Sequence, residues 1–257
     1  MVLLSFDIEE FDMPFEYGKE ISFEDQIQIS ITGTVAILDL LAKHNVKATF
    51  FSTAIFAIHA KDVIDRIINE GHEIASHNYH HSQFEIAHLK ESKEKLEALT
   101  GTEVIGFRMP RMFPVDEKEI YNAGYTYNSS INPTYLPGRY NNFNKPRRYF
   151  YQQKVLQIPA SVSPLIRFPL FWLSFHNLPL RIYLFLVQWT LKKDKYLNIY
   201  FHPWEFTNLN QPEKFNFPKY VSKNSGEQMI ERFDQLISWM KEKKYTFGTF
   251  KTFIKTI

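Results

Sequence analysis

Two histidines, His77 and His81, stand four residues apart in the run Gly71-His72-Glu73-Ile74-Ala75-Ser76-His77-Asn78-Tyr79-His80-His81. On one helical turn that spacing points both imidazoles the same way. It offers two nitrogens to a single divalent metal. A hydrolytic metal also needs a carboxylate and an open position for water. Carboxylates stand at the amino end, where the apolar run Val2 to Phe6 leads directly into Asp7-Ile8-Glu9-Glu10. Residues two apart on a strand share a face, so Asp7 and Glu9 can address one site while Ile8 turns away. One carboxylate can bind a metal and the other can take a proton from water. Arg108 stands in Gly106-Phe107-Arg108-Met109-Pro110 and His202 in Tyr200-Phe201-His202-Pro203-Trp204-Glu205, and taken alone each reads as a structural residue of a strand. His72 and His80 read as packing or supporting groups, and His44, His59, His88 and His176 carry no signal by position.

The elements that must position these residues alternate in the first half of the chain. Strands are expected at Val2 to Ile8, Lys47 to Thr53, Glu73 to Ser76, Val104 to Met109 and Tyr125 to Ile131. Helical spacing of apolar residues fills Ile27 to His44, Lys61 to Asn69, Ile86 to Leu99 and Asp116 to Ala123 between them. Strands separated by helices of this length imply βα units and a parallel sheet curled into a barrel. The pattern resumes with a strand at Tyr196 to Phe201, a helix at Glu227 to Lys243 and a last strand at Thr246 to Phe250.

The stretch 132–191 differs. Seven prolines up to Pro179 leave no room for a long uninterrupted helix before that point. Leu165 to Leu191 is densely apolar and aromatic, but prolines, His176 and Arg181 interrupt it, which argues against a membrane-spanning helix. A packed core loop and helix is the ordinary reading. A membrane-facing surface at 165–191, flanked by Arg181, Lys192, Lys193 and Lys195, is the alternative.

The 257 residues carry 30 basic and 28 acidic side chains, so no global field of the kind a nucleic-acid binder uses is present. Cysteine is absent, which excludes disulfides, thiolate metal sites and cysteine nucleophiles. No basic leader precedes the first strand, and the expectation is a cytoplasmic protein without a cleaved signal.

Taken in order, the acid-x-acid strand end, the Gly-His-Glu-Ile…His-x-x-x-His element, the Arg108 strand, Gly124-Tyr125-Thr126-Tyr127-Asn128-Ser129-Ser130-Ile131 and the His202 strand resemble the polysaccharide deacetylase family, the NodB-homology or carbohydrate esterase 4 group. Ala48-Thr49-Phe50-Phe51 matches a strand of that family, and the Tyr-Phe-His-Pro-Trp-Glu ending looks like the branch found in exopolysaccharide gene clusters. The resemblance runs from Val2 to about Phe250. It implies an α/β fold, a distorted (β/α)7-type barrel, NodB-like, in one catalytic domain over 1–257 with an irregular apolar insertion at about 132–191.

The implied activity is metal-dependent removal of N-acetyl groups from an amino sugar in a polysaccharide or a lipid-linked saccharide. By resemblance His77 and His81 are metal ligands, Asp7 is the base, Arg108 orients it, His202 is the general acid and Pro110 shapes the groove. Tyr79 and Trp204 offer aromatic faces to a sugar ring. The family's first motif commonly has two adjacent aspartates, the second binding metal; here Ile8 stands in that place. The acid-x-acid form puts the third ligand at Glu9, with an exchange of roles between Asp7 and Glu9 left open. Two histidines and a carboxylate suit zinc, and cobalt, nickel or manganese are compatible. Two further readings stand beside this one: a hydrolase of cyclic amides or other non-peptide C–N bonds, and a catalytically degenerate carbohydrate-binding scaffold, motivated by Ile8.

Overall fold

The computed structural model describes residues 1–257. Its strands are β1 (Val2–Ile8), β2 (Thr49–Ser52), β3 (Glu73–Ser76), β4 (Gly106–Phe107), β5 (Tyr127–Asn128), β6 (Tyr135–Leu136), β7 (Tyr140–Asn141), β8 (Phe150–Gln152), β9 (Val155–Gln157), β10 (Leu197–Phe201) and β11 (Phe247–Gly248). Nine of them form one sheet in the order β10-β1-β2-β3-β4-β5-β9-β8, with β11 also paired to β1. Every pair is parallel except the β8–β9 hairpin. The connections carry the helices Phe23–His44, Lys61–Asn69, Ile86–Thr100, Glu117–Asn122 and Leu180–Asp194, with Glu227–Glu242 before β11. This is the curled, distorted (β/α) barrel expected of the sequence.

Alternation along the strands sorts the side chains. Val2, Leu4, Phe6 and Ile8 of β1 pack with the helices in a core of 42 buried residues. Leu3 faces the other way and joins Phe51, Ala75, Tyr127, Leu156 and Phe250 in a second core inside the curl of the sheet. The inward set on β1 is therefore Leu3, Ser5 and Asp7, ending at the carboxyl-terminal edge. On β10, Leu197, Ile199 and Phe201 belong to the helix-facing core, which leaves Asn198 and Tyr200 on the inward row and His202 next along it.

The seam between β10 and β9 is closed by polar contacts. The Asn198 side-chain amide donates to Ile158 O at 3.2 Å, to Pro159 O at 3.1 Å and to Ser129 Oγ at 3.1 Å, and Ser161 N donates to Asn198 O at 2.8 Å.

Local chemistry sets the element ends. The Ser22 side chain accepts from Asp25 N, capping the first long helix, and Asn45 closes it in the left-handed conformation at φ 50°. The structure departs from expectation in the middle of the chain. The stretch 132–191 is not wholly irregular: β8 and β9 lie within it, and β9 pairs with β5 as a strand of the main sheet. Three residues per strand are too few for a periodicity to show. The expected strands Tyr125 to Ile131 and Val104 to Met109 shrink to two residues each, because loops that carry site residues begin at once. The short helices Met13–Glu16, Ala54–His59 and Trp172–Asn177 had no sequence expectation. No helix is long and apolar enough to cross a membrane.

Gly33 fixes how the first long helix meets the site. A Cβ there would lie 1.9 Å from Pro203 O and 2.4 Å from Pro203 C. Gly33→Ala improves intrinsic helix propensity, yet the overpacking is expected to cost about 1–3 kcal/mol. Urea denaturation checks this: a lowered midpoint is expected, and an unchanged or raised midpoint would show that the helix does not seat against the residue following His202.

Candidate active site

Asp7, His77, Arg108 and His202 come from four different strands, each at or just past the carboxyl-terminal end of its strand. That edge is where parallel (β/α) sheets build their sites, because the loops there are free to carry chemistry. Glu9 follows β1 by one residue. His81 is brought in by a turn: 77–81 is not helical, contrary to the spacing argument. Asn78 sits at φ 72°, and its side-chain amide donates to His80 O at 2.7 Å and Gln83 O at 2.9 Å. A tight turn therefore brings the rings together, with centroids 5.8 Å apart.

Glu9, His77 and His81 form one cluster, each offering a ligand atom within 4.8 Å of the others. His77 Nε2 and His81 Nε2 each lie 3.1 Å from Glu9 Oε2. The opposite ring nitrogens are committed. His77 Nδ1 donates to Arg108 O at 2.8 Å, and His81 Nδ1 donates to Asp12 Oδ1 at 2.8 Å. Donation through Nδ1 fixes the tautomer and ring orientation and turns Nε2 into the shared space, the usual support for a metal-ligating histidine. Two imidazole nitrogens and one carboxylate oxygen on a fixed frame fit a divalent ion such as zinc. Trp204 Nε1 donates to Glu9 Oε1 at 3.3 Å, leaving Oε2 for the cluster.

The electrostatics are strong. Burial opposes the charge of Glu9, but the rings of His81, His77 and His202 outweigh it and hold the carboxyl well below the ordinary range. Burial would lower the His81 imidazole, but Glu9 and Asp12 raise it. Asp12 is itself held down, against burial, by His81, Ser82 and Arg111, whose guanidinium Nη2 lies 3.1 Å from Asp12 Oδ1.

Asp7 belongs to a second group. Arg108 Nη1 donates to Asp7 Oδ1 at 2.6 Å, and His202 Nε2 lies 3.9 Å from Asp7 Oδ2. Arg108 is fully buried, its guanidinium 4.0 Å from the Phe51 ring centre, and its Nε and Nη2 donate to Ser129 O at 3.1 Å and Ser129 Oγ at 3.0 Å. His202 Nδ1 donates to Glu205 Oε1 at 3.0 Å, and Glu205 Oε2 accepts from His176 Nε2 at 2.9 Å. Burial pushes the His202 imidazole down, but the bond to Glu205 and the charges of Glu9, Glu205 and Asp7 raise it above its ordinary value.

The cleft above these residues is walled by Met109, Met112, Phe171, Trp172, Tyr200 and Trp204. Trp204 stacks on His202 with centroids 4.7 Å apart. Pro110 and Tyr79, expected to contact substrate, do not line the cleft. Pro110 is buried at the start of a short turn, and the Tyr79 ring packs on His80 and His88. Three functional candidates were missed. Asp12 lies at the end of the acidic run Asp7 to Asp12, beyond the reach of strand periodicity. Glu205 stands three residues after His202, a spacing that could have flagged it, while nothing in the sequence linked His176 to it.

A family model described as polysaccharide deacetylase matches residues 19–127. A peptidoglycan-N-acetylglucosamine deacetylase, PgdA of Listeria monocytogenes, is 30% identical over 103 residues, covering 40% of this chain and 21% of that protein. An uncharacterized 30.6 kDa protein of Geobacillus stearothermophilus is 36% identical over 86 residues, so the chain spans 32% of that relative's length and 21% of PgdA's. Among solved structures, a probable polysaccharide deacetylase from Pseudomonas aeruginosa PAO1 aligns at TM-score 0.64 and 15% identity, covering 94% of this chain and 84% of that one. The Puue allantoinase aligns at TM-score 0.64 and 16% identity with the same coverage. A carbohydrate esterase 4 pseudoenzyme from Bacillus anthracis, BA3943, aligns at TM-score 0.53 and 16% identity, covering 98% of this chain and 64% of that one. At these identities the structural likeness establishes the fold.

The Asp12 contact generates a test that needs no substrate. Asp12→Asn keeps the size but weakens the hold on His81, so divalent metal affinity is expected to fall about 10- to 100-fold. Competition with a chromophoric chelator measures it, and an unchanged affinity would remove Asp12 from the site.

Proposed function

We propose that this chain, a member of the polysaccharide deacetylase family, removes the N-acetyl group of an amino sugar with one divalent metal held by Glu9, His77 and His81. The observation that carries the reading is the placement of Asp7. It lies beside the Glu9–His77–His81 cluster but outside it, clamped by Arg108 on one oxygen and faced by His202 at 3.9 Å on the other. A residue there has no need to bind metal and is free to act as a base. That placement supports Glu9, of the two carboxylates, as the ligand.

When bound, the ion supplies a Lewis acid for the acetyl carbonyl and for the attacking water, with zinc the best match to the donor set. Asp7 accepts the proton of that water as its oxygen adds to the carbonyl carbon. Arg108 fixes the orientation of Asp7 through Nη1, while its Nε and Nη2 are held on Ser129. His202, tied to Glu205 through Nδ1, gives the proton on Nε2 to the amide nitrogen as the C–N bond breaks. Acetate and a free amine leave. The walls formed by Trp172, Tyr200 and Trp204 suit the apolar faces of a sugar ring.

Acetate release from N-acetylglucosamine oligomers by the zinc-loaded protein tests this. His202→Ala is expected to lower kcat about 100- to 10,000-fold with the metal retained. Because the His202 imidazole is raised above its ordinary value, the alkaline limb of the pH–activity profile, where the general acid loses its proton, is expected to lie above the ordinary histidine range. Glu205→Gln removes an upward influence and should move that alkaline limb to lower pH. Hydrolysis of a cyclic amide without acetate release would shift the reading to the other C–N hydrolases. A loaded protein inert on both would favour a carbohydrate-binding scaffold.

A further inference from the structure

Charge is distributed unevenly along this chain. Residues 120–193 contain nine Lys and Arg and no Asp or Glu, whereas the remainder carries 21 basic and 28 acidic residues. Of the nine, Arg139 and Arg147 reach a carboxylate, Glu16 and Asp194 respectively, and both acids lie outside the segment. Arg148, Arg181, Lys192 and Lys193 are left to solvent or to an anionic partner.

The same segment exposes large apolar side chains. Leu165 is 87% exposed, Ile166 65%, Phe185 64% and Ile182 49%. The loop that carries the first two is held in place. A bridge pairs Val162 with Pro169, Ser163 N donates to Phe168 O at 2.8 Å, and Arg167 Nη1 donates to Lys145 O at 2.8 Å. Leu165 and Arg167 lie in the left-handed region at φ 66° and 52°. A bulky residue pays for that conformation, so a fixed, strained loop holds two aliphatic side chains out in water. These side chains connect to the helix Leu180–Asp194. Leu165, Arg167, Trp189 and Lys193 line one depression, and Phe185, Trp189 and Lys192 line the next.

The surface also continues into the cleft. Arg167 and Ile166 border an apolar groove that shares Leu136, Phe171, Leu173 and Tyr220 with the cleft itself. An exposed apolar strip edged by unpaired cations and free of acids suits the interface of an anionic bilayer, where aliphatic and aromatic groups enter the headgroup boundary and basic groups meet the lipid charge. We propose that the 120–193 face docks on an anionic lipid surface through Leu165, Ile166 and Phe185, with Lys192 and Lys193 meeting the headgroups. Docked this way, the groove opens the cleft toward the lipid, and the substrate class becomes a saccharide carried at the membrane. That last step rests on the deacetylase reading; the docking does not.

Co-sedimentation with vesicles of mixed phosphatidylglycerol and phosphatidylcholine, beside vesicles of phosphatidylcholine alone, tests the docking without any enzymatic readout. The wild-type protein is expected to bind the anionic vesicles and to release in high salt. The variants Leu165→Ser/Ile166→Ser/Phe185→Ser and Lys192→Glu/Lys193→Glu are each expected to weaken binding about tenfold or more. All five positions are surface sites, and matched thermal midpoints verify that the variants fold. Absence of wild-type binding, or binding that neither variant changes, would overturn the proposal. So would a dimer that the apolar variant dissolves without any vesicle binding, which would assign the face to a second copy of the chain.

Discussion

The ion pair between Arg108 and Asp7 is the constraint on which the rest of the site depends. A guanidinium with no solvent exposure cannot shed its proton and is costly to leave unpaired. Asp7 must therefore stay where Arg108 Nη1 reaches it at 2.6 Å. The cost of burying the pair is offset by hydrogen bonds to Ser129 and by the face of Phe51 at 4.0 Å. Ser129 Oγ in turn is contacted by Asn198, the residue that closes the barrel seam. A base, its orienting cation and the closure of the fold thus share one buried network. Disturbing any member is felt at the others.

Around that pair, strand alternation does most of the positioning. β1 buries Leu4, Phe6 and Ile8 under the helices, which forces Asp7 inward. The parallel register of β1 with β10 sets Phe6 opposite Phe201, so the residues that follow, Asp7 and His202, meet across the strand ends. The metal cluster needs one device more. The turn at Asn78 carries the chain back so that His81 faces Glu9 beside His77, and Asp12 holds its ring from behind.

Much of this was legible in the residues. The period-two reading of Asp7 and Glu9 and the βα alternation rest on local patterns, and the folded chain obeys them. The His77–His81 pair converges as expected but by a different route, since a positive φ at an asparagine leaves the same spacing as a helical turn. What could not be read depends on long-range contacts. Glu205 and His176 come from the His202 turn and the Trp172–Asn177 helix, and their pairing at 2.9 Å reflects tertiary packing that no spacing encodes. Tyr79, an aromatic next to the ligands in sequence, turns toward His88 and leaves the cleft walls to Trp172 and Tyr200. The hairpin β8–β9 is too short to announce itself, yet it supplies the last parallel neighbour of the sheet.

The central claim is that the two carboxylates at the end of β1 have separate duties, Glu9 holding the ion and Asp7 acting as base. Elemental analysis of the purified chain after loading with zinc, run on the wild type, Glu9→Ala and Asp7→Asn together, tests it most directly. The account predicts a stoichiometric ion in the wild type and in Asp7→Asn, and its loss in Glu9→Ala. Retention of the ion in Glu9→Ala with loss in Asp7→Asn would reverse the assignment, and no ion in any of the three would contradict it outright.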